Sequence, residues 1–188
     1  RRETFDVAHD VVDALVREPS VAFVAAEDGA GGLTVASADG EARIARDGER
    51  IVYEPSRGDP LELGGAFSGN EAEWLAATWD RPFPDAGPQL LDQFRSSRAG
   101  DLLVIAREGY DFRERFEVPE HKSGHGSLVR SHMQTPLWSN LPVPDGPVRT
   151  VEVFTAMLSW LGVEAAAGID AVGGWLPGRP AHEAVGSA

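Results

Sequence analysis

Residues 33–54, LTVASADGEARIARDGERIVYE, carry two Asp-Gly pairs between three β-prone runs. The runs are Leu33–Ser37, Glu41–Arg46 and Arg50–Glu54, separated by Asp39-Gly40 and Asp47-Gly48. Asp-Gly is favoured in two-residue hairpin turns, because both central residues of a type I′ turn have positive φ. The stretch therefore predicts an antiparallel meander of three strands over residues 33–54.

The sequence before the meander predicts a helix followed by a buried strand. Residues 6–18 place apolar side chains at helical spacing, and Pro19 ends the helix. Val21–Ala25 is a short, continuously apolar run, which is typical of a strand covered on both faces.

The sequence after the meander continues this alternation. It predicts a loop over 55–69, then a helix from Asn70 to Asp80 that a capping box with Glu73 opens, and a second helix from Pro88 to Gly100. A buried parallel strand over 101–106 and a loop-rich segment over 107–134 follow. The last predicted elements are a strand over 135–139 and a helix from an N-cap at Thr150 to Gly162. Helices interleaved with buried strands favour an α/β fold with mostly parallel strands, in which the meander is an insertion or the edge of the sheet. We expect one domain over 1–163 and a loosely held tail over 164–188.

Composition and charge exclude several classes of function. The chain has 188 residues, a net charge of −13 and no cysteine, so a thiolate metal site and a Cys nucleophile are excluded and the redox compartment stays open. Binding to nucleic acid or to an anionic membrane needs a basic footprint, so we expect neither partner. A site for phosphate would need local positive charge, most simply from metal ions. Arg1–Thr4 contains no initiator Met and no apolar stretch, and we expect a cut N-terminus.

Histidine is the side chain whose distribution points to chemistry. The five histidines are His9, His121, His125, His132 and His182, of which three fall within twelve positions. His125 stands between Gly124 and Gly126, so a sharply turning loop presents its ring and a helix is disfavoured there. A loop histidine is more often a surface residue than a metal ligand, and spacing alone leaves both interpretations open. A self-contained zinc site of His121, His125 and His132 is a further hypothesis.

A family resemblance joins this loop to the segments that follow it. The segments are His125-Gly126-Ser127, Thr135–Trp138, Arg149–Val151 and Phe154–Val163, with looser likeness at Gly109–Phe112 and Arg57–Leu61. Their order and spacing resemble the C-terminal segment of type I phosphodiesterase/nucleotide pyrophosphatase-like members of the alkaline phosphatase superfamily. In that family a His-Gly loop precedes a short strand, and an Arg-Thr turn opens the last helix.

The resemblance implies a fold, a site and a reaction class. The fold is part of a three-layer sandwich with mostly parallel strands. The site holds two zinc ions or similar divalent metal ions; one polarises the phosphoryl oxygen and the other activates the nucleophile. By the match His125 ligates one metal, whereas no role passes to His121 or His132.

The sequence also departs from the family. The nucleophile and the Asp-His-Gly ligand motif are absent from these 188 residues, so no catalytic residue is assigned. We therefore expect the C-terminal part of a hydrolase of phosphoric esters that needs the N-terminal remainder of its own chain. Alone, it would be inactive and hold no metal tightly, because one ligand cannot build a tetrahedral zinc site. The alternative is a non-catalytic binding or interaction domain of the same fold.

Overall fold

The structure, a computed structural model, describes residues 8–112, 124–140 and 142–163. Its elements are α1 (Ala8–Arg17), β1 (Val21–Glu27), β2 (Gly32–Ala36), β3 (Glu41–Asp47), β4 (Arg50–Arg57), β5 (Phe67–Gly69), α2 (Glu71–Thr78), α3 (Ala86–Phe94), β6 (Leu102–Ala106), α4 (Arg130–Met133) and α5 (Thr150–Trp160). The chain divides into two compact units, residues 1–135 and 136–188. The first unit contains every described strand, and the second contains α5.

The first unit is built on one open sheet of six strands in the order β5-β4-β3-β2-β1-β6. Strands β2, β3 and β4 are consecutive antiparallel neighbours, with Leu33 opposite Ile44 and Ile44 opposite Tyr53. The predicted meander and the mixed α/β class are therefore confirmed. The expected mostly parallel sandwich is not shown, because every strand pairing within the described residues is antiparallel.

The prediction of a parallel strand over 101–106 is wrong in its direction. Strand β6 pairs antiparallel with β1, with Val104 opposite Val24. It is also an edge strand, and only Ile105 of its five residues is fully buried. An apolar run encodes burial but not strand direction, because direction depends on the partner strand.

Other boundaries differ where a partner strand decides them. The predicted loop over 55–69 is partly strand, since β4 continues to Arg57 and Phe67–Gly69 pairs with Ile51–Tyr53. Residues 135–139 form no strand, although the sequence predicted one. Both errors arise because a short strand forms only where a neighbour supplies hydrogen-bond partners.

Helices α2 and α3 begin within two residues of where the sequence predicts, whereas α4 lies in the segment 107–134 that the sequence predicted to be loop-rich. Asn70 caps α2, with its side chain accepting from the Glu73 N–H at 2.9 Å and the Glu73 carboxylate accepting from the Asn70 N–H at 2.8 Å. Helix α3 begins at Ala86, two residues before Pro88, and ends at Phe94. The sequence therefore predicted the starts of these two helices more closely than their C-terminal ends.

The core lies between one face of the sheet and helices α2 and α3. Along strand β3, Ala42 and Ile44 are buried and Glu41 and Arg43 are exposed, which is the alternation expected of a sheet with one solvent-exposed face. Strand β1 differs, because all residues of Val21–Ala25 are buried, as predicted, and α1 contacts this strand.

Trp74 is the largest fully buried side chain in this core. Its indole Nε1–H donates to the Ile51 carbonyl oxygen at 2.9 Å, and its ring meets that of Phe67 edge-on at 5.1 Å between centroids. Gly87 in α3 lies against the same ring, since a Cβ added there would be 2.6 Å from the indole. Glycine is therefore required where α3 crosses Trp74.

We expect Gly87→Ala to lower the free energy of unfolding by about 1–3 kcal/mol, because the added methyl overpacks the indole. Urea denaturation checks this. Gly100→Ala is the matched control, since an added Cβ there meets nothing closer than 3.4 Å and no positive φ is required. Equal losses in both variants would contradict the proposed contact.

Asp59 organises the turn that follows β4. Its Oδ1 accepts from the buried Tyr53 hydroxyl at 2.6 Å, and its Oδ2 accepts from the Gly64 N–H at 2.6 Å. Partial burial alone raises the pKa of Asp59, but hydrogen bonds from Tyr53, Gly64, Leu63 and Gly65 outweigh burial and leave it below its ordinary value. Burial and the neighbouring carboxylate raise the pKa of Tyr53 well above its ordinary value.

Asp59→Asn should destabilise the protein by about 1–3 kcal/mol at neutral pH, because the charged acceptor is lost. Since the folded pKa of Asp59 lies below its unfolded value of 3.8, this contribution is complete above that value and disappears as pH falls through the folded pKa. The difference between wild type and variant should therefore shrink below pH 3.8 in acid-dependent denaturation curves. Asp47→Asn, in the β3–β4 turn, is the control. A stability difference between wild type and Asp59→Asn that stays constant down to acid pH would refute the role assigned to the Asp59 carboxylate.

In the second unit, α5 begins one residue earlier than predicted. Arg149 occupies the N-cap position, and its backbone N–H donates to the Glu152 carboxylate at 2.9 Å. Phe154 and Met157 of the predicted apolar stripe are about half exposed, whereas Ala156 is buried. The helix is confirmed, and its two buried residues are Glu152 and Ala156.

Candidate functional site

His125 lies on an exposed loop between two glycines. The described segment 124–129 contains no regular secondary structure, and Gly126 has a φ of +86°. The interpretation of His125 as a loop residue is therefore confirmed. Its imidazole is exposed to solvent, so it can be reached by a ligand that approaches from outside the described core.

The segment after His125 is anchored firmly to the first unit. Val129 is 6% exposed and belongs to the hydrophobic core. The Arg130 N–H donates to the Pro82 carbonyl oxygen at 2.9 Å, and the Arg130 guanidinium donates to the Asp80 carboxylate at 2.9 Å. The Gln134 side-chain amide donates to the Trp79 carbonyl oxygen at 2.6 Å. The loop therefore projects from a fixed point on the α2–α3 connection.

Asp111 lies close to Gly124, the residue that precedes His125. A Cβ added at Gly124 would be 3.7 Å from Asp111 Oδ2, which places this carboxylate beside the residue that precedes His125. In the sequence, Asp111 stands out only as part of Gly109–Phe112, one of the segments that resemble the phosphodiesterase family. Nothing in the sequence signals this proximity, because Asp111 and Gly124 are thirteen positions apart along the chain.

The remaining histidines do not join His125 within the described residues. His132 lies on α4 and is exposed, while the side chain of His9 and all of His121 and His182 fall outside the described part. Within residues 8–112, 124–140 and 142–163, no three His, Asp or Glu side chains are grouped to hold a metal ion. In these ranges His125 and His132 are therefore two exposed imidazoles that belong to no such group.

A cleft of about 520 Å³ opens beside the anchored segment. Its apolar wall includes Ala22, Phe83 and Val129, and its polar wall includes Arg81, Arg107, Arg130, Asp80 and Glu108. Three guanidinium groups outnumber two carboxylates, so the cleft is locally cationic although the chain carries a net charge of −13. An apolar wall with a few charged or polar groups is the common lining of a ligand pocket.

A second cleft of about 580 Å³ borders the β1–β2 turn. Asp28 shapes the turn, since its Oδ1 accepts from the Gly32 N–H at 2.9 Å and its Oδ2 from Arg43 at 2.6 Å. Burial raises the pKa of Asp28, but these bonds, with that from Ala30, hold it below its ordinary value. The Gly-rich stretch after Asp28 is therefore the hairpin turn between β1 and β2.

None of the described helices combines the length and the apolar character needed to cross a membrane. Comparisons of the chain with protein-family models, with curated proteins and with solved structures found no match.

The buried Val129 side chain and the Arg130–Asp80 ion pair both anchor the His125 loop, and we expect them to contribute different amounts to the free energy of unfolding. Val129→Ala should cost about 1–3 kcal/mol of stability because it leaves a cavity in the core. Arg130→Ala should cost less than about 1 kcal/mol, because exposed ion pairs are screened by water and salt. Chemical denaturation of both variants measures the two losses. A larger loss for Arg130→Ala would make the ion pair with Asp80, whose side chain is 81% exposed, the dominant anchor.

Proposed function

We propose that this chain is the C-terminal part of a metal-dependent hydrolase of phosphoric esters, of the phosphodiesterase or nucleotide pyrophosphatase type. His125 contributes one metal ligand, and the nucleophile and the other ligands come from the N-terminal remainder of the same polypeptide. The observation that carries the proposal is the exposed His125 on a glycine-flanked loop whose stem is fixed to the core. A ligand that completes a site with distant residues must be both accessible and held in place.

The family-like segments support the same assignment. The His-Gly loop, the Thr135–Trp138 segment and the Arg149–Val151 helix start follow one another in the order typical of the alkaline phosphatase superfamily. In the intact enzyme, parallel strands from the N-terminal remainder would complete a three-layer sandwich. The antiparallel sheet described here would then be the accessory part of that fold.

The cationic cleft supports an anionic substrate. Arg81 and Arg107 line the same cleft as Val129 and Arg130. Val129 and Arg130 follow His125 by four and five positions along the chain. A guanidinium group binds phosphate oxygens through paired hydrogen bonds and keeps its charge at all physiological pH values. The cleft therefore offers a place for a charged group of the substrate.

The described residues can bind a metal only by contributing a ligand to a site that they share with the N-terminal remainder of the polypeptide. When bound, the two metal ions would polarise the phosphoryl oxygen and activate the nucleophile. The role proposed for this chain is to present one ring nitrogen of His125 to the metal and the other to a hydrogen-bond acceptor. Asp111, beside Gly124, supplies a carboxylate of the kind that orients such a ring.

The test compares the 188-residue chain with the full product of its gene. The full product should contain about two zinc ions and hydrolyse bis(p-nitrophenyl) phosphate, whereas the chain alone should do neither. In the full product, His125→Ala should lower kcat/KM at least about 100-fold and reduce the bound metal, because a direct ligand is lost. Metal content is measured by elemental analysis.

His132→Ala is the matched control, because His132 is an exposed histidine seven positions along the chain. This variant should keep both metal content and activity. Turnover by the 188-residue chain alone would contradict the proposal. A full product that contains neither metal nor activity would instead favour a binding or interaction domain of the same fold.

A further inference from the structure

The core face of the sheet ends in two charged residues. Strand β1 turns Phe23 and Ala25 into the core, and the next residue on that face is Glu27. Strand β3 turns Ile44 into the core, and the next residue on that face is Arg46. Side chains alternate between the two faces of a strand, so Glu27 and Arg46 lie on the same face, with β2 between their strands. A carboxylate and a guanidinium group therefore stand where the apolar core stops.

Both residues line the cleft of about 580 Å³ that borders the β1–β2 turn. Its apolar surface comes from Leu33 on β2 and from Leu91 and Phe94 on α3. It shares no lining residue with the cleft beside the His125 loop. A cleft of this size that combines apolar side chains with a few charged groups has the character of a ligand pocket.

The glycine turn keeps one side of this cleft open. Gly29 and Gly31 line it with φ values of +74° and +84°, and a Cβ built on either residue would meet no atom within 4 Å. Asp28 holds the turn in place, since its Oδ1 accepts from the Ala30 N–H at 2.7 Å and from the Gly32 N–H at 2.9 Å. The open side is therefore formed before a ligand arrives, which reduces the entropy lost on binding.

The charged groups of the cleft have unused bonding capacity. Arg46 is held in place through Nη2, which donates to Glu71 at 2.9 Å and to Asp92 at 3.1 Å. Its Nε and Nη1 groups, and the carboxylate of Glu27, have no hydrogen-bond partner within the part of the chain that the structure describes. Arg95 approaches Asp92 at 3.4 Å through Nη1, and its side chain is otherwise exposed. Donors on one side of the cleft and an acceptor on the other are therefore available to a ligand.

We propose that this cleft binds a short peptide with free termini, two or three residues long and with apolar side chains. The ammonium group of the peptide pairs with Glu27, and its carboxylate accepts hydrogen bonds from Arg46 and Arg95. Its apolar side chains cover Leu91 and Phe94, which contributes the hydrophobic part of the affinity. Charge-assisted hydrogen bonds at both ends then select a ligand that carries both charges.

The spacing of the strands determines the length of this ligand. Two strands that flank a third have backbones about 10 Å apart, because neighbouring strands lie about 4.8 Å from each other. An extended chain spans about 3.4 Å per residue, so two or three residues reach about 7–10 Å between their charged ends. A peptide with both termini free has no net charge, so the net charge of −13 on the protein does not repel it as it would repel an organic anion.

NMR titration of the 188-residue chain with L-leucyl-L-leucine tests the site. The backbone amide signals of Gly29 and Gly31 should shift in a saturable way. The N-acetylated peptide and the C-terminal amide should each have a dissociation constant about three- to fivefold higher, because each lacks one of the two ion pairs. Glycylglycine should also bind more weakly, because it has no apolar side chain.

Two variants separate the two ends of the peptide. Glu27→Gln should raise the dissociation constant of L-leucyl-L-leucine about three- to fivefold and leave that of the N-acetylated peptide unchanged. Arg95→Gln should weaken binding of the free peptide in the same way and leave the dissociation constant of the C-terminal amide unchanged. Glu54→Gln, which changes an exposed glutamate on the opposite face of the sheet, is the control and should bind like the wild type.

The inference does not rest on the hydrolase proposal, because the two clefts have no residue in common. Absence of saturable shifts at Gly29 and Gly31 overturns the peptide site. Equal affinity for the free, acetylated and amidated peptides overturns the pairing of the charged ends. A loss in Glu27→Gln that is the same for all three ligands also overturns it, because a general loss of structure would weaken them alike.

Discussion

The hydrogen bond from the Trp74 indole to the Ile51 carbonyl oxygen is the contact on which the rest of the first unit depends. A buried indole N–H needs an acceptor, and this one lies on β4 at 2.9 Å, so the bond fixes α2 against the sheet. The Thr78 hydroxyl donates to the Trp74 carbonyl oxygen at 2.6 Å and accepts from the Asp85 N–H at 2.7 Å, which turns the chain into α3. Gly87 then lets α3 approach the indole ring. The position of Trp74 therefore sets the corner between the two helices.

The same corner positions the candidate site. Arg130 and Gln134 bond to the segment between α2 and α3, through Pro82, Asp80 and Trp79. Because Val129 is also buried, the stem of the His125 loop moves only if the corner moves. The core near Trp74 and the stem of the His125 loop are therefore joined by contiguous hydrogen bonds and packing.

The sequence was most informative where a structure is determined locally. The Asp-Gly pairs located the meander, and the Asn70–Glu73 pattern located the start of α2, because turns and caps are satisfied by residues close in sequence. Strand β6 shows the opposite case. Its apolar run predicted a strand, but its antiparallel direction and edge position depend on β1, about eighty positions earlier. The candidate site follows the same logic: His125 and its loop were predictable from two glycines, whereas the nearby Asp111 and the arginine-lined cleft required the fold.

The design of the His125 loop itself argues for a role in binding. Flanking glycines increase the conformational entropy lost on folding, and an exposed histidine adds no core burial in return. The neighbouring Val129, Arg130 and Gln134 nevertheless hold the loop stem through a core contact and several hydrogen bonds. Stability alone would be served by a shorter connection between the same anchors. A polar side chain that is exposed on a glycine-flanked loop and fixed at its base is the arrangement that proteins use to present a ligand, because a rigid scaffold limits where the side chain can lie.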